Sequence, residues 1–132
     1  MPANGKPRIF VVDDEPTIAS TLGMILNSSG FSATVFTDPL EALRAAETQC
    51  PDFLISDVMM PKLNGIDLGV QFKAIFPSCR ILLFSGQATT SDLLETARKN
   101  GHNFNLLTKP VHPSDLLAAI EAIDTLEAVD GK

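Results

Sequence analysis

The chain has 132 residues, 45% of them hydrophobic and 20% charged, with a net charge of −6. That length suits one domain around a single core, and no apolar run nears the roughly 18 residues of a membrane span. The acidic balance disfavours direct contact with nucleic acid, which needs a basic face, and residues 1–7 lack a signal peptide's apolar stretch, so a cytoplasmic location is expected.

After this short leader, Arg8 to Val12 reads as a buried strand that runs into Asp13-Asp14-Glu15. Pro16 suits the first position of a helix, along which Ile18, Leu22, Ile25 and Leu26 recur at helical spacing, with Gly30 as its stop. Gly23 inside that helix costs about 1 kcal/mol relative to alanine. Phe31 to Phe36 alternates weakly and reads as a second strand at an edge. Asp38-Pro39-Leu40-Glu41 has the form of a capping box, opening a helix towards Glu47.

Phe53 to Asp57 is a short apolar run that reads as a strand buried on both faces. It gives way to a loop through Met60-Pro61 and Asn64-Gly65, both turn signals. Asp57 thus stands where a hydrophobic strand stops. From Gly65 the run IDLGVQFKAIF predicts a third helix, closed by Pro77. Ile81 to Phe84 is a fourth strand ending in Ser85-Gly86. A fourth helix starts near Ser91, with Leu93, Leu94 and Ala97 inward and Gly101 at its end. Phe104 to Leu107 is a fifth strand leading into Thr108-Lys109-Pro110, and His112-Pro113-Ser114-Asp115 opens a last helix through Leu126.

Strand and helix alternate five times without a linker or a repeat. This pattern predicts an α/β fold, a parallel sheet covered by helices on both faces, with right-handed connections. One domain over residues 8–127, between the leader and a tail at 128–132, accounts for the chain. Cys50 and Cys79 lack metal or CxxC spacing and are expected to be reduced thiols. His102 and His112 lie in predicted loops without a metal-like arrangement. Asp52 and Asp67 are read as solvated or capping.

Four of the strands end in polar groups that packing does not require: Asp13 and Asp14, Asp57, Ser85, and Lys109. In a parallel sheet these ends share one edge, where ligands and chemistry collect. Three carboxylates there repel one another, unless a divalent cation sits among them; oxygen ligands favour magnesium or a similar hard ion. A carboxylate serves as a nucleophile, while a cation and a lysine stabilise phosphoryl oxygens. The set suits phosphoryl transfer onto Asp57.

The segments IFVVDDEP, FLISDVMMPKLNG, ILLFSG and LLTKP, in this order and spacing, resemble the response-regulator receiver domains of two-component signalling, over nearly the whole chain. The resemblance implies a three-layer, doubly wound (βα)5 fold of flavodoxin-like type with strand order 2-1-3-4-5. It implies that Asp57 accepts a phosphoryl group from the phosphohistidine of a sensor histidine kinase or a histidine phosphotransfer protein. It further implies Mg²⁺ bound by Asp14, Asp57 and the backbone carbonyl of Met59, with Asp13 acting through a metal-bound water. Ser85 and Lys109 would each contact a phosphoryl oxygen, and the bond before Pro110 would be cis. Output would pass to a downstream protein or a self-dimer through the region of the last helix, whether the chain stands alone or is cut from a longer regulator.

Two positions depart from the family's pattern. Leu106 stands where an aromatic residue is usual, and Phe104, on the same face of the strand, lies too far along to replace it simply. The switch is therefore expected to run through Ser85 and the fourth helix without an aromatic partner. Gly86 replaces the commoner alanine, and with Met59 and Gln87 it flanks the site. In the last helix, Leu116, Ala118, Ala119, Ile120, Ala122, Ile123 and Leu126 cover roughly 200° of arc, wide enough to face both a sheet and a partner, or else an alanine-rich face that serves helix formation alone. Glu121, Asp124 and Glu127 hold the other side.

Two other readings compete. A Mg²⁺-dependent phosphatase working through an aspartyl-phosphate usually has a second acid two residues after the nucleophile, where this chain has Met59. A flavin-type binder needs a phosphate-cradling loop after the first strand, where Asp13-Asp14-Glu15 would repel the phosphate. Self-phosphorylation yields no free metabolite, so the chain is read as a switch and not as an enzyme.

Overall fold

The computed structural model describes residues 6–86, 90–102, 104–109 and 111–130, with side chains at all of these except 90–93 and 124–130. Its elements run β1 (Arg8–Val12), α1 (Pro16–Ser28), β2 (Ser32–Phe36), α2 (Pro39–Thr48), β3 (Phe53–Asp57), α3 (Gly65–Ile75), β4 (Arg80–Ser85), α4 (Thr90–Lys99), β5 (Asn105–Thr108) and α5 (Pro113–Asp130). All strand pairs are parallel, in the order β2-β1-β3-β4-β5. The expected doubly wound α/β fold is thereby found.

Alternation along the strands divides the core into two layers. Phe10, Leu54, Ile81 and Leu83 face one side, where Ala42, Leu68, Phe72 and Ala97 bring in α2, α3 and α4. Ile9, Val11, Phe53, Ile55 and Phe84 face the other, against Leu22 and Leu26 of α1 and Leu116, Ile120 and Ile123 of α5. Burial of each such Leu, Ile or Phe contributes about 1.5–3 kcal/mol, and β3, at the centre, is buried at all five positions.

Gly23 has a packing reason. A Cβ there would lie 2.7 Å from Cγ1 of Val35, so its absence lets α1 settle against β2. β2 is an edge strand, as expected. Ser32 turns its N–H towards β1, bonding the Pro7 carbonyl, so the next residue presents its polar groups outward. There the Asn27 side chain accepts from Ala33 N–H at 2.9 Å and donates to the Ala33 carbonyl at 3.4 Å. Gly30 and Gly101 follow α1 and α4 with φ of 98° and 91°, the left-handed conformation that ends a helix.

Some boundaries move. β5 begins at Asn105 and takes in Thr108, a shift of one residue from the apolar run, because pairing with β4 sets its register. α5 continues through Ala128, Val129 and Asp130, past the expected end at Leu126. The Asp38 cap is made to the Leu40 amide at 2.9 Å, and not through the Glu41 exchange of a capping box. Asn64-Gly65 is a helix start more than a turn: Asn64 Oδ1 accepts from Asp67 N–H at 2.8 Å. Asp67 returns the contact, accepting from Asn64 Nδ2, and Asp52 Oδ2 accepts from Arg8 N–H at 2.8 Å at the start of β1, so each acid has a structural hydrogen bond and neither itself caps a helix. On α5, Ala118 and Ala122 are exposed while Leu116, Ile120 and Ile123 form the buried stripe, so part of the apolar arc faces solvent. The expectations for Gln87 and Pro110, and for the side chains of Leu93 and Leu126, lie outside the described residues.

Cys50 and Cys79 are free. Among the described residues no helix is long and apolar enough to cross a membrane. His102 stacks on Phe104, ring centroids 5.9 Å apart, and belongs to no metal-like cluster among the described residues.

Candidate phosphoryl-acceptor site

The carboxyl ends of β1 and β3 are neighbours, because Val12 pairs with Ser56. That register carries Asp13, one step past β1, beside Asp57, the last residue of β3. Asp13, Asp14 and Asp57 each offer a carboxylate oxygen, and these lie within 4.8 Å of one another. Asp13 is fully buried and Asp57 nearly so, while Asp14 is the more exposed. β5 delivers Lys109, whose Nζ is 3.3 Å from Asp57 Oδ2 and 3.7 Å from Asp13 Oδ2, and lies 5.2 Å from the Phe84 ring centroid.

Ser85 ends β4 at the same edge. Asp57 pairs with Phe84, so Ser85 sits one residue further along, and its carbonyl accepts from Lys109 N–H at 3.0 Å. Met59 is 45% exposed at the start of the loop, and its amide donates to the Asp57 carboxylate. The structure thus brings Asp13, Asp14, Asp57 and Lys109 into one cluster, with Ser85 and Met59 on the adjoining backbone.

Burial raises both inner acids. The Asp13 carboxyl is pushed up to about 6, mainly by desolvation and further by the charges of Asp57 and Asp14; the Glu15 amide and Lys109 act against this. Asp57 is also raised, burial again leading, opposed by Lys109 and the Met59 amide. One lysine among three acids leaves excess negative charge in a low-dielectric site.

The donor set fits a hard divalent cation. Its oxygens are all carboxylate, and Asp13 Oδ2, buried, has no hydrogen-bond partner among the described residues. A buried carboxylate oxygen left so is costly, and a water held by a cation would satisfy it.

Glycine makes the geometry possible at one place. A Cβ on Gly65 would fall 2.1 Å from the Asp57 carbonyl oxygen, so only glycine lets α3 start against the end of β3. The residue was legible only as a turn signal, since nothing local announces a close backbone approach. The ion pair between Lys62 Nζ and Asp38 Oδ2, 3.0 Å, ties the β3–α3 loop to the start of α2. The sequence held no signal for that pair, 24 positions apart.

The structure matches many solved receiver domains. A response regulator receiver domain protein from Clostridium thermocellum superposes with a TM-score of 0.80 at 32% identity, covering 93% of this chain and 98% of that one. The alkaline phosphatase synthesis transcriptional regulatory protein PhoP of Bacillus subtilis is 35% identical over 119 residues, 88% of this chain and 48% of its own length. The probable transcriptional regulatory protein TcrX of Mycobacterium tuberculosis is 30% identical over 122 residues, 92% of this chain and 51% of its own. The chain therefore spans about half the length of the curated relatives it matches. The sequence model of the response regulator receiver domain matches residues 9–121. With the fold, the acid cluster and these likenesses in agreement, the chain belongs to the response regulator receiver domain family of two-component signalling.

Proposed function

We propose that Asp57 is the phosphoryl acceptor and that a Mg²⁺ ion is held by Asp14, Asp57 and the Met59 carbonyl, with Asp13 acting through a bound water. The observation that carries this reading is the meeting of three carboxylates and one lysine at the ends of β1, β3 and β5. When bound, the cation supplies charge neutralisation for the acids and for phosphoryl oxygens.

The remaining work falls to the chain's own groups. Lys109 opposes the rise that burial imposes on Asp57 and so favours its ionised, nucleophilic form. Attack by a carboxylate oxygen of Asp57 on phosphorus forms the acyl phosphate as the phosphorus–nitrogen bond of the donor phosphohistidine breaks. Lys109 then pairs with one phosphoryl oxygen, and the Ser85 hydroxyl donates to another.

The donor is a sensor histidine kinase or a histidine phosphotransfer protein. The modified form differs in affinity for a downstream protein or a second copy, reached through the partly exposed face of α5, and this difference is the output. The net charge of −6 argues against nucleic acid as a direct contact of this domain. The protein acts in the cytoplasm, as one domain over residues 8–127, and as a switch it releases no product of its own. The phosphatase reading loses ground to Met59, which stands where the second acid belongs.

Leu106 is 38% exposed, whereas Phe104 is partly buried, its ring 3.2 Å from where a Gly69 Cβ would lie. The aromatic residue is thus seated against α3, which favours a switch running through Ser85 and α4. Incubation with acetyl phosphate and Mg²⁺ should add one phosphoryl group by intact mass, and Asp57→Asn should take up none. Equal labelling of the Asn variant would refute the assignment.

A further inference from the structure

The loop between β3 and α3 contains a strained element outside the acid cluster. The Pro61 carbonyl accepts from Leu63 N–H at 2.8 Å across Lys62, whose φ is 72°. A three-residue turn with positive φ at its centre is rare and unfavourable for any residue but glycine. Strain of this kind persists where the surroundings over-determine the conformation.

Here the surroundings include Asp38. Its Oδ2 takes the Lys62 ammonium at 3.0 Å, while its Oδ1 caps α2 through Leu40 N–H at 2.9 Å. Those two contacts hold the Asp38 carboxyl below its ordinary range, the Leu40 amide more than Lys62. Two residues earlier, the Phe36 carbonyl accepts from Asp13 N–H at 3.1 Å. The short segment from Phe36 to Asp38 therefore grips the acid loop after β1 at one end and the loop carrying Met59 at the other.

We infer that the Asp38–Lys62 ion pair is a positioning clamp that sets the spacing between the β1 acids and the Met59 carbonyl, and thereby the affinity of the site for a divalent cation. The inference rests on the proposed Mg²⁺ site. Neither residue touches the reacting atoms; both act through the loop between β3 and α3.

The test uses the full chain and Mg²⁺ alone as probe. Asp38→Asn keeps a capping oxygen for Leu40 and removes the charge. Lys62→Gly removes the ammonium and relieves the positive φ, so neither variant is expected to unfold. Calorimetric titration should show each variant binding Mg²⁺ about two- to fivefold more weakly, the range open to an exposed ion pair. The double variant should be no weaker than either single one, since both remove the same contact, and Lys62→Arg should bind like the parent. Amide NMR shifts of the Val58–Asn64 loop should move in both single variants without metal. At saturating Mg²⁺, the maximal rate with acetyl phosphate should return to within about twofold of the parent.

Unchanged Mg²⁺ affinity in both single variants, or additive losses in the double variant, would overturn the clamp while leaving the metal site standing. A parent chain that binds no Mg²⁺ would overturn the metal site and the clamp together.

Discussion

Gly65→Ala offers a direct test of how α3 is seated on β3. The new methyl would sit 2.1 Å from the Asp57 carbonyl oxygen, 2.9 Å from its carbon and 3.0 Å from Ser56 Oγ. The first two are main-chain atoms and cannot rotate away, so the helix start or the strand end must move by about an ångström. Overpacking of this kind costs about 1–3 kcal/mol, and stretching the 2.8 Å bond from Gly65 N–H to the Val58 carbonyl adds about 1 kcal/mol. The net loss is expected at about 2–4 kcal/mol, or a fall of about 8–15 °C in Tm for a domain of this size. The chain has no Trp or Tyr, so urea unfolding is best followed by far-ultraviolet circular dichroism. Since the displaced atoms belong to the proposed acceptor, phosphorylation by acetyl phosphate should slow at least about tenfold. A variant with the parent's midpoint and rate would refute the close approach.

Gly86→Ala is the matched control for stability, because its Cβ would meet Lys109 Cβ at an ordinary 3.5 Å. Its urea midpoint should hold while self-phosphorylation by acetyl phosphate slows, as the methyl restricts the lysine stem; an unchanged rate removes that argument. Asp13→Asn probes the buried charge. Folded Asp13 keeps its proton to about pH 6, whereas its ordinary value is 3.8, so folding takes up a proton in that window and parent stability falls as pH rises through it. Without metal the Asn variant should be more stable than the parent by about 1–3 kcal/mol at pH 7 and little different near pH 4, as urea titrations at both pH values would show; a gap that does not widen with pH refutes it. Cys79 is fully buried with its thiol pushed up to about 12, by burial first, so a thiol reagent at pH 7.5 should label the native chain at Cys50 alone. Labelling of Cys79 at the same rate would contradict its burial.

The strands and helices were legible because their signals are local. Phe53 to Asp57 is an unbroken apolar run closed by an acid, and β3 is those residues. The convergence of Asp13, Asp57 and Lys109 followed from counting parallel strands, since each residue stands at the end of one. What the residues did not announce depends on long-range contact. β5 slid by one residue because β4 dictates its register, and its apolar letters alone fixed neither end. Gly23 carried only a helix penalty until Val35 stood opposite it. Asp38 carried the pattern of a capping box, yet one of its oxygens serves a lysine from another loop. A chain read in one dimension holds no sign of such a meeting.

The carboxamide of Asn27 also has a bearing on the company this protein keeps. An open sheet rim is a template on which a foreign strand can grow, and β2 forms one rim of this sheet. Asn27 occupies both the N–H and the carbonyl of Ala33, imitating the backbone of an incoming strand and blunting the rim at that residue. A strand joining β2 at Ala33 would first have to evict that side chain, so pairing of crowded copies is disfavoured at that end of the rim.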